Sequence, residues 1–148
     1  MSKSDCVFCN SSFELYEIKE YAYWSLQLFR DDQYYLGRCV AVLDSRHIVD
    51  ITELTEDERE ELFETVLPEL QQSLDTISSP DMYNYASIGM DCSHFHLHII
   101  PRYNTPTEFN GQVFKDEFWS QTYKQDYEPV QQNTTELLDL KSRIQDTL

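Results

Sequence analysis

Trp24, Leu26 and Leu28 alternate with Ser25 and Gln27, the period of a strand with one buried face. The run Asp31-Asp32-Gln33-Tyr34-Tyr35-Leu36-Gly37 reads as a turn. Behind it, Cys39-Val40-Ala41-Val42-Leu43 is apolar and β-branched enough for a central strand, so the two segments predict a hairpin. Thr55-Glu56-Asp57-Glu58 then matches a capping box, and acidic residues in a first turn suit the positive end of a helix dipole. Leu62, Phe63, Val66, Leu67, Leu70, Leu74 and Ile77 recur at threes and fours, which predicts one long helix with an apolar stripe. Pro68 lies inside that stripe and should kink the helix or cost it a hydrogen bond. Ser78-Ser79-Pro80-Asp81 ends it. Two further strands are expected over 82–88 and 94–100, with Pro101 closing the second. A polar and aromatic stretch then leads to a short C-terminal helix over 134–147. Hairpins at both ends of a long helix predict an α+β domain built on an antiparallel sheet.

The length of 148 residues suits one domain, 1–148, without repeats or linkers. The formal charge of −16 excludes a general nucleic-acid binder working by phosphate neutralisation and argues against adhesion to anionic membranes. It reads as a solvated acidic surface, with adaptation to high salt as a second reading. The three glycines, Gly37, Gly89 and Gly111, stand too far apart to write a dinucleotide fingerprint or a P-loop. The opening Met1-Ser2-Lys3-Ser4-Asp5-Cys6 has no apolar run of a signal peptide, so a cytoplasmic protein is expected. There, Cys6, Cys9, Cys39 and Cys92 are better read as metal ligands or buried thiols than as disulfides.

Three of the four histidines fall in His94-Phe95-His96-Leu97-His98-Ile99-Ile100. On a strand, His94, His96 and His98 share a face at steps of roughly 6.6–7 Å, and Phe95, Leu97 and Ile99 oppose them. Three adjacent imidazoles are poor core material, since each brings polar nitrogens that need partners. The ladder therefore points to function, and two chemistries use one. A catalytic zinc site takes histidines at i and i+2 with an open position. Nucleophilic catalysis uses one neutral imidazole as attacker while its neighbours orient it.

Cys6-Val7-Phe8-Cys9 bears on that choice. A CxxC pair is half of a structural zinc site; His47, in Ser45-Arg46-His47-Ile48, and one histidine of the ladder would complete a Cys₂His₂ set. An all-cysteine set with Cys39 and Cys92 fits less well, because Cys39 falls mid-strand.

With these residues in place, the chain resembles the histidine triad (HIT) superfamily of nucleotide hydrolases and transferases, in its zinc-bearing form. The match rests on His94-Phe95-His96-Leu97-His98-Ile99-Ile100 followed by Pro101-Arg102-Tyr103. It is supported by Cys6-Val7-Phe8-Cys9, Gly37, His47 and Tyr127-Glu128-Pro129. The resemblance implies a five-stranded antiparallel half-barrel packed on one long helix with a short C-terminal helix, paired into a homodimer. It implies a structural zinc on Cys6, Cys9, His47 and His94, which tethers residues 1–12, with 101–148 as a C-terminal extension. It further implies that His96 attacks the α-phosphorus of a nucleotide and forms a nucleotidyl-histidine that water resolves, while His98 orients it and stabilises charge.

Arg38 stands where many members carry a histidine. It cannot act as a base but can hold a phosphate oxygen, and we count it with His96 and His98 as catalytic. The loop Ile88-Gly89-Met90-Asp91-Cys92-Ser93 departs from the family's Ala-Gly-Gln, leaving Ser93 as a candidate donor to phosphate. Asp31 is the ribose candidate and Arg102 a further phosphate contact, whereas Lys115 reads as surface charge. The expected ligand is a nucleotide with a phosphoanhydride or phosphoramidate bond, such as a dinucleoside polyphosphate or an adenylated amine. A zinc hydrolase with metal on the His94/His96/His98 face, and a non-catalytic nucleotide-binding dimer, are the alternatives. Trp24, Tyr34, Tyr35, Trp119 and Tyr123 read as core or dimer aromatics before base-stacking ones.

Overall fold

The computed structural model describes residues 5–10, 16–30, 33–124 and 133–148. Five strands form one antiparallel sheet in the order β1-β2-β3-β5-β4: β1 Glu17–Glu20, β2 Trp24–Leu28, β3 Cys39–Leu43, β4 Met82–Ala86 and β5 His96–Arg102. The expected hairpin is present, running from Trp24 opposite Leu43 to Leu28 opposite Cys39. Strand β3 is central and all five of its residues are buried, as its uniformly apolar sequence requires. Burial on β2 reaches Ser25 as well, so the second face of the sheet is covered there too. The outer strand β1 has one buried apolar residue, Ile18, and therefore shows no period of its own.

One face of the sheet, with Trp24, Leu26, Leu43 and Ile99, packs on the long helix through Leu62, Val66, Leu70 and Leu74. That helix follows a short first helix, α1 (Val7–Asn10), starts at the Thr55 capping box as α2 (Glu56–Glu61) and ends as α3 (Leu67–Ile77). Between them Leu62–Val66 is a π-helical turn. Pro68 has no N–H for the carbonyl four residues back, and its ring would strike that carbonyl, so the ladder widens just ahead of it. Phe63, expected on the apolar stripe, sits in the widened turn and is exposed. The Trp24 indole donates to the Glu58 carbonyl at 2.8 Å and ties helix to sheet.

Strand boundaries differ from the expected ones in an informative way. β5 begins at His96, so His94 precedes the strand, and the strand continues through Pro101. The Asp81 N–H donates to the Arg102 carbonyl, so Arg102 faces β4 and Pro101 turns its nitrogen the other way. On that side β3 has ended at Cys39, opposite Ile99, and no ladder bond is lost. Gly37 fills that corner at φ +88°; a Cβ there would lie 2.7 Å from Leu74 Cδ2.

A second, two-stranded sheet, β6 (Thr107–Phe109) with β7 (Gln112–Phe114), was not expected. Its turn is Asn110-Gly111, both at positive φ, a pair that favours tight hairpins. Helix α4 (Thr134–Thr147) matches its expected span, capped by Asn133 and Glu136, and buries Leu137, Leu140 and Ile144. No helix among the described residues is long and apolar enough to cross a membrane.

Candidate active site and metal centre

The open face of the sheet carries the histidines. His96 stands opposite Val42 and His98 opposite Val40 on β3, and their ring centroids lie 5.2 Å apart. His96 Nδ1 lies 2.7 Å from the carbonyl oxygen of His94, which can only accept, so Nδ1 carries the proton and Nε2 keeps its lone pair. The opposite tautomer is set at His98. Arg38 Nη2 donates to His98 Nδ1 at 3.1 Å, which leaves the proton on Nε2. Burial first, then the Arg38 charge and His96, push the His98 pKa down to about 3. These hydrogen bonds leave the site with a ring lone pair at His96 Nε2 and an N–H donor at His98 Nε2.

Arg38 owes its position to the stapled turn between β2 and β3. Gln33 accepts from the Gly37 N–H at 2.7 Å and donates to the carbonyls of Phe29 at 2.8 Å and Arg38 at 3.1 Å. The Arg38 guanidinium then stacks over Phe29, 4.0 Å from its centroid. Phe29 also packs edge-on against His98. Beside the pair is a cleft of about 160 Å³ lined by Val7, Phe8, Gln27, Phe29, His96 and His98, among others. Phe8 lies 5.1 Å from the His96 ring. A larger cavity of about 630 Å³ lies along β4 between Tyr83 and Trp119; no histidine lines it, so size alone does not mark the chemistry.

The first histidine of the ladder does something else. Cys6, Cys9, His47 and His94 hold their ligand atoms within 4.8 Å of one another. His94 Nδ1 lies 3.4 Å from the Cys6 and Cys9 sulfurs and 3.1 Å from His47 Nδ1, and Cys9 Sγ lies 3.3 Å from His47 Nδ1. A tetrahedral zinc with ordinary bond lengths needs edges of roughly 3.5 Å (S to N) and 3.3 Å (N to N). The donor set fits such an ion. His94 Nε2 lies 2.6 Å from the Leu43 carbonyl, so this nitrogen holds the proton and Nδ1 is turned bare toward the sulfurs. Burial lowers the His94 pKa and favours that neutral form. On the other side, buried Glu58 accepts two 2.8 Å bonds from Arg46, which hold its carboxyl down to about 2 and anchor the loop bearing His47.

None of the four cysteines is in a disulfide; Cys39 is fully buried in β3, which raises its pKa and keeps it from the cluster. The other expected contacts divide. Ser93 Oγ is buried and has no hydrogen-bond partner among the described residues. Asp31 and Tyr127-Glu128-Pro129 lie outside the described residues. Arg102 does not reach the histidine cleft. Its five N–H donors go to Asp116 (2.6 and 3.2 Å), Asn84, and the carbonyls of Phe118 and Gln121. A guanidinium so saturated has nothing left for a phosphate. Trp24, Tyr34 and Tyr35 are core residues. Phe8, Phe29, Gln33 and Glu58 also build the site. Phe8 stands between the two cysteines of the CxxC and Glu58 inside the capping box, whereas no local motif marks Phe29 or Gln33.

No curated protein matches the sequence. Solved structures share the fold at low identity. A histidine triad protein of Bradyrhizobium japonicum superposes with a TM-score of 0.69 at 20% identity, covering 88% of each chain. One from Sinorhizobium meliloti gives 0.69 at 19%, over 90% of this chain and 89% of the other. A zinc-bound histidine triad family protein of Mycobacterium smegmatis gives 0.60 at 17%, over 98% and 96%. The family model described as the HIT domain matches residues 26–105, more than half of the sequence, from within β2 to just beyond β5, and by that match the chain belongs to the HIT domain family.

Proposed function

We propose that the protein is a HIT-type nucleotide hydrolase or transferase acting through a covalent nucleotidyl-His96. The observation that carries this reading is the bond from His96 Nδ1–H to the His94 carbonyl, which leaves Nε2 as a nucleophile on the cleft. Nε2 attacks the α-phosphorus of a phosphoanhydride or phosphoramidate; the N–P bond forms as the bond to the leaving oxygen or nitrogen breaks, and the leaving group takes up a proton. Water then attacks the same phosphorus, releases the nucleotide from Nε2 and gives up a proton to solvent. The neutral His98 Nε2–H, set beside His96, meets the negative charge that develops on the phosphoryl oxygens, and Arg38, bonded to His98 Nδ1, adds its positive charge from behind that ring. Ser93 and Asp31 are the proposed contacts to phosphate and ribose. Cys6, Cys9, His47 and His94 would hold zinc, which would supply a structural staple there and no chemistry; the donor set excludes His96 and His98 and so favours this over a catalytic metal.

The outer edge of β4, unpaired among the described residues, with Met82 and Tyr85 exposed on it, supports assembly as a homodimer. We place the protein in the cytoplasm, bound to small nucleotides rather than to nucleic acid.

Incubation with α-labelled adenosine polyphosphate followed by an alkaline quench, which preserves phosphoramidates, should leave label on the protein and none on His96→Ala. Absence of label with every nucleotide tried, alongside measurable nucleotide binding, would replace the enzyme by a non-catalytic nucleotide-binding dimer.

A further inference from the structure

The wall of the cleft away from the histidines carries a polar relay that neither the metal centre nor the phosphoryl chemistry uses. Gln27 lies opposite Val40, and Val40 opposite His98, so Gln27 stands two strands from His98, about 9.6 Å across the sheet. That separation suits a nucleotide lying across the strands with its phosphate at the histidines and its base toward β1. Gln27 lines the cleft there with Tyr16, Leu28 and Arg30, and its amide offers both a donor and an acceptor.

Its orientation follows from its neighbours. Ser25 shares the Gln27 face of β2, and Glu17 is the β1 residue opposite Gln27. Ser25 Oγ lies 2.6 Å from Glu17 Oε2, and a carboxylate there only accepts, so the single hydroxyl hydrogen is committed to Glu17. Ser25 can then only accept from Gln27, and the Gln27 atom 3.2 Å away must be Nε2. The relay runs from the Gln27 N–H to the Ser25 O–H to the Glu17 carboxylate. It turns the Gln27 carbonyl oxygen away from Ser25, and that oxygen has no protein partner among the described residues.

We propose that Gln27 is a specificity-determining residue which reads the base through this carbonyl, as an acceptor for an exocyclic amino group. The favoured substrates are then adenine or cytosine nucleotides over their oxo counterparts, hypoxanthine and uracil, whose carbonyl would face another acceptor. This rests on the nucleotide reading above and deepens it. Glu17 and Ser25 act through Gln27 and are positioning residues.

AMP and IMP differ at the edge in question, and their binding to the intact protein can be compared by calorimetry. The wild type should favour AMP by on the order of tenfold, the usual worth of one hydrogen bond against an unpaired donor or acceptor. Gln27→Leu should bring the two within about twofold. Ser25→Ala should do nearly the same with Gln27 still present, by freeing the amide to turn its NH₂ toward IMP; a merely structural serine would weaken both ligands equally. Equal wild-type affinities, or a preference that survives Gln27→Leu, would overturn the inference while the covalent chemistry stands. If neither nucleotide binds and no label reaches His96, the nucleotide reading itself fails and this one with it.

Discussion

The backbone carbonyl of His94 accepts a 2.7 Å hydrogen bond from His96 Nδ1, while the ring of the same His94 points at the sulfurs of Cys6 and Cys9. One residue thus completes the Cys6, Cys9 and His47 cluster with its side chain and sets the tautomer of His96 with its main chain. This is possible because His94 stands just before β5, where its carbonyl is not committed to the ladder of the sheet. The candidate metal cluster and the His96–His98 pair are adjacent without sharing a side chain.

That separation gives the first prediction. Purified His96→Ala should keep one zinc per chain, whereas Cys9→Ser or His94→Ala should lose it, as read by elemental analysis. Stripping zinc with a strong chelator should lower Tm by about 10 °C, the shift that a loss of roughly 3 kcal/mol gives in a domain of this size. Zinc that disappears with His96 would move the metal onto the catalytic face.

A second prediction concerns acid. His98 has a folded-state pKa of about 3 against an ordinary value of 6.5, so between these pH values the unfolded chain binds the extra proton. The stability contributed is complete above about pH 6.5 and is lost as pH falls toward 3. Its slope is at most about 1.4 kcal/mol per pH unit. Urea melts of wild type and His98→Asn across that window should diverge, the variant showing the shallower loss. Comparing the two cancels the protonation of the metal ligands, which occurs in both.

Arg38 is expected to matter through geometry as well as charge. It sits over the Phe29 ring while donating to His98, a pose that a lysine ammonium cannot copy. Arg38→Lys and Arg38→Ala should both lower kcat, by roughly 10²-fold or more for alanine, with a smaller change in KM. Unchanged turnover in either variant would remove Arg38 from the catalytic group.

Arg102 separates fold from site. Its buried pair with Asp116 leaves an uncompensated carboxylate if the arginine is removed, so Arg102→Ala should cost about 3–5 kcal/mol of stability in chemical denaturation. Nucleotide affinity of the protein that remains folded should match the wild type, which a phosphate-binding arginine would not allow.

The charge of −16 acts on the approach of an anionic ligand from every side. Raising salt from about 0.15 M to 1 M shortens the screening length from about 8 Å to 3 Å and should raise kcat/KM, mainly through a lower KM. A fall in kcat/KM with salt would show that local cations such as Arg38 dominate the field.

Much of this was legible along the chain because it depends on local rules. Period two placed His96 and His98 on one face, since neighbouring side chains of a strand cannot do otherwise. The Thr55 and Glu58 pair marked the helix start, and CxxC spacing brought two sulfurs together within a single turn. The Asn110-Gly111 turn is equally local, since positive φ at both positions is what that dipeptide favours. Where two readings were possible for one residue, sequence spacing could not choose. Pro101 looked like a strand end, yet whether a missing N–H costs a bond depends on where β3 stops. Arg102 looked like a phosphate ligand, yet Asp116 and the carbonyls of Phe118 and Gln121 claim all its donors.

The sequence by itself determined which residue types share a face and which segments become helix or strand, because those follow from backbone geometry a few residues long. Only the tertiary structure decided that His94 leaves the ladder for Cys6, Cys9 and His47, that Arg38 meets His98, and that Gln27 is aimed by Ser25 and Glu17. Hydrogen-bond donors are finite and directional, and which acceptor claims each one is settled when distant segments are packed together.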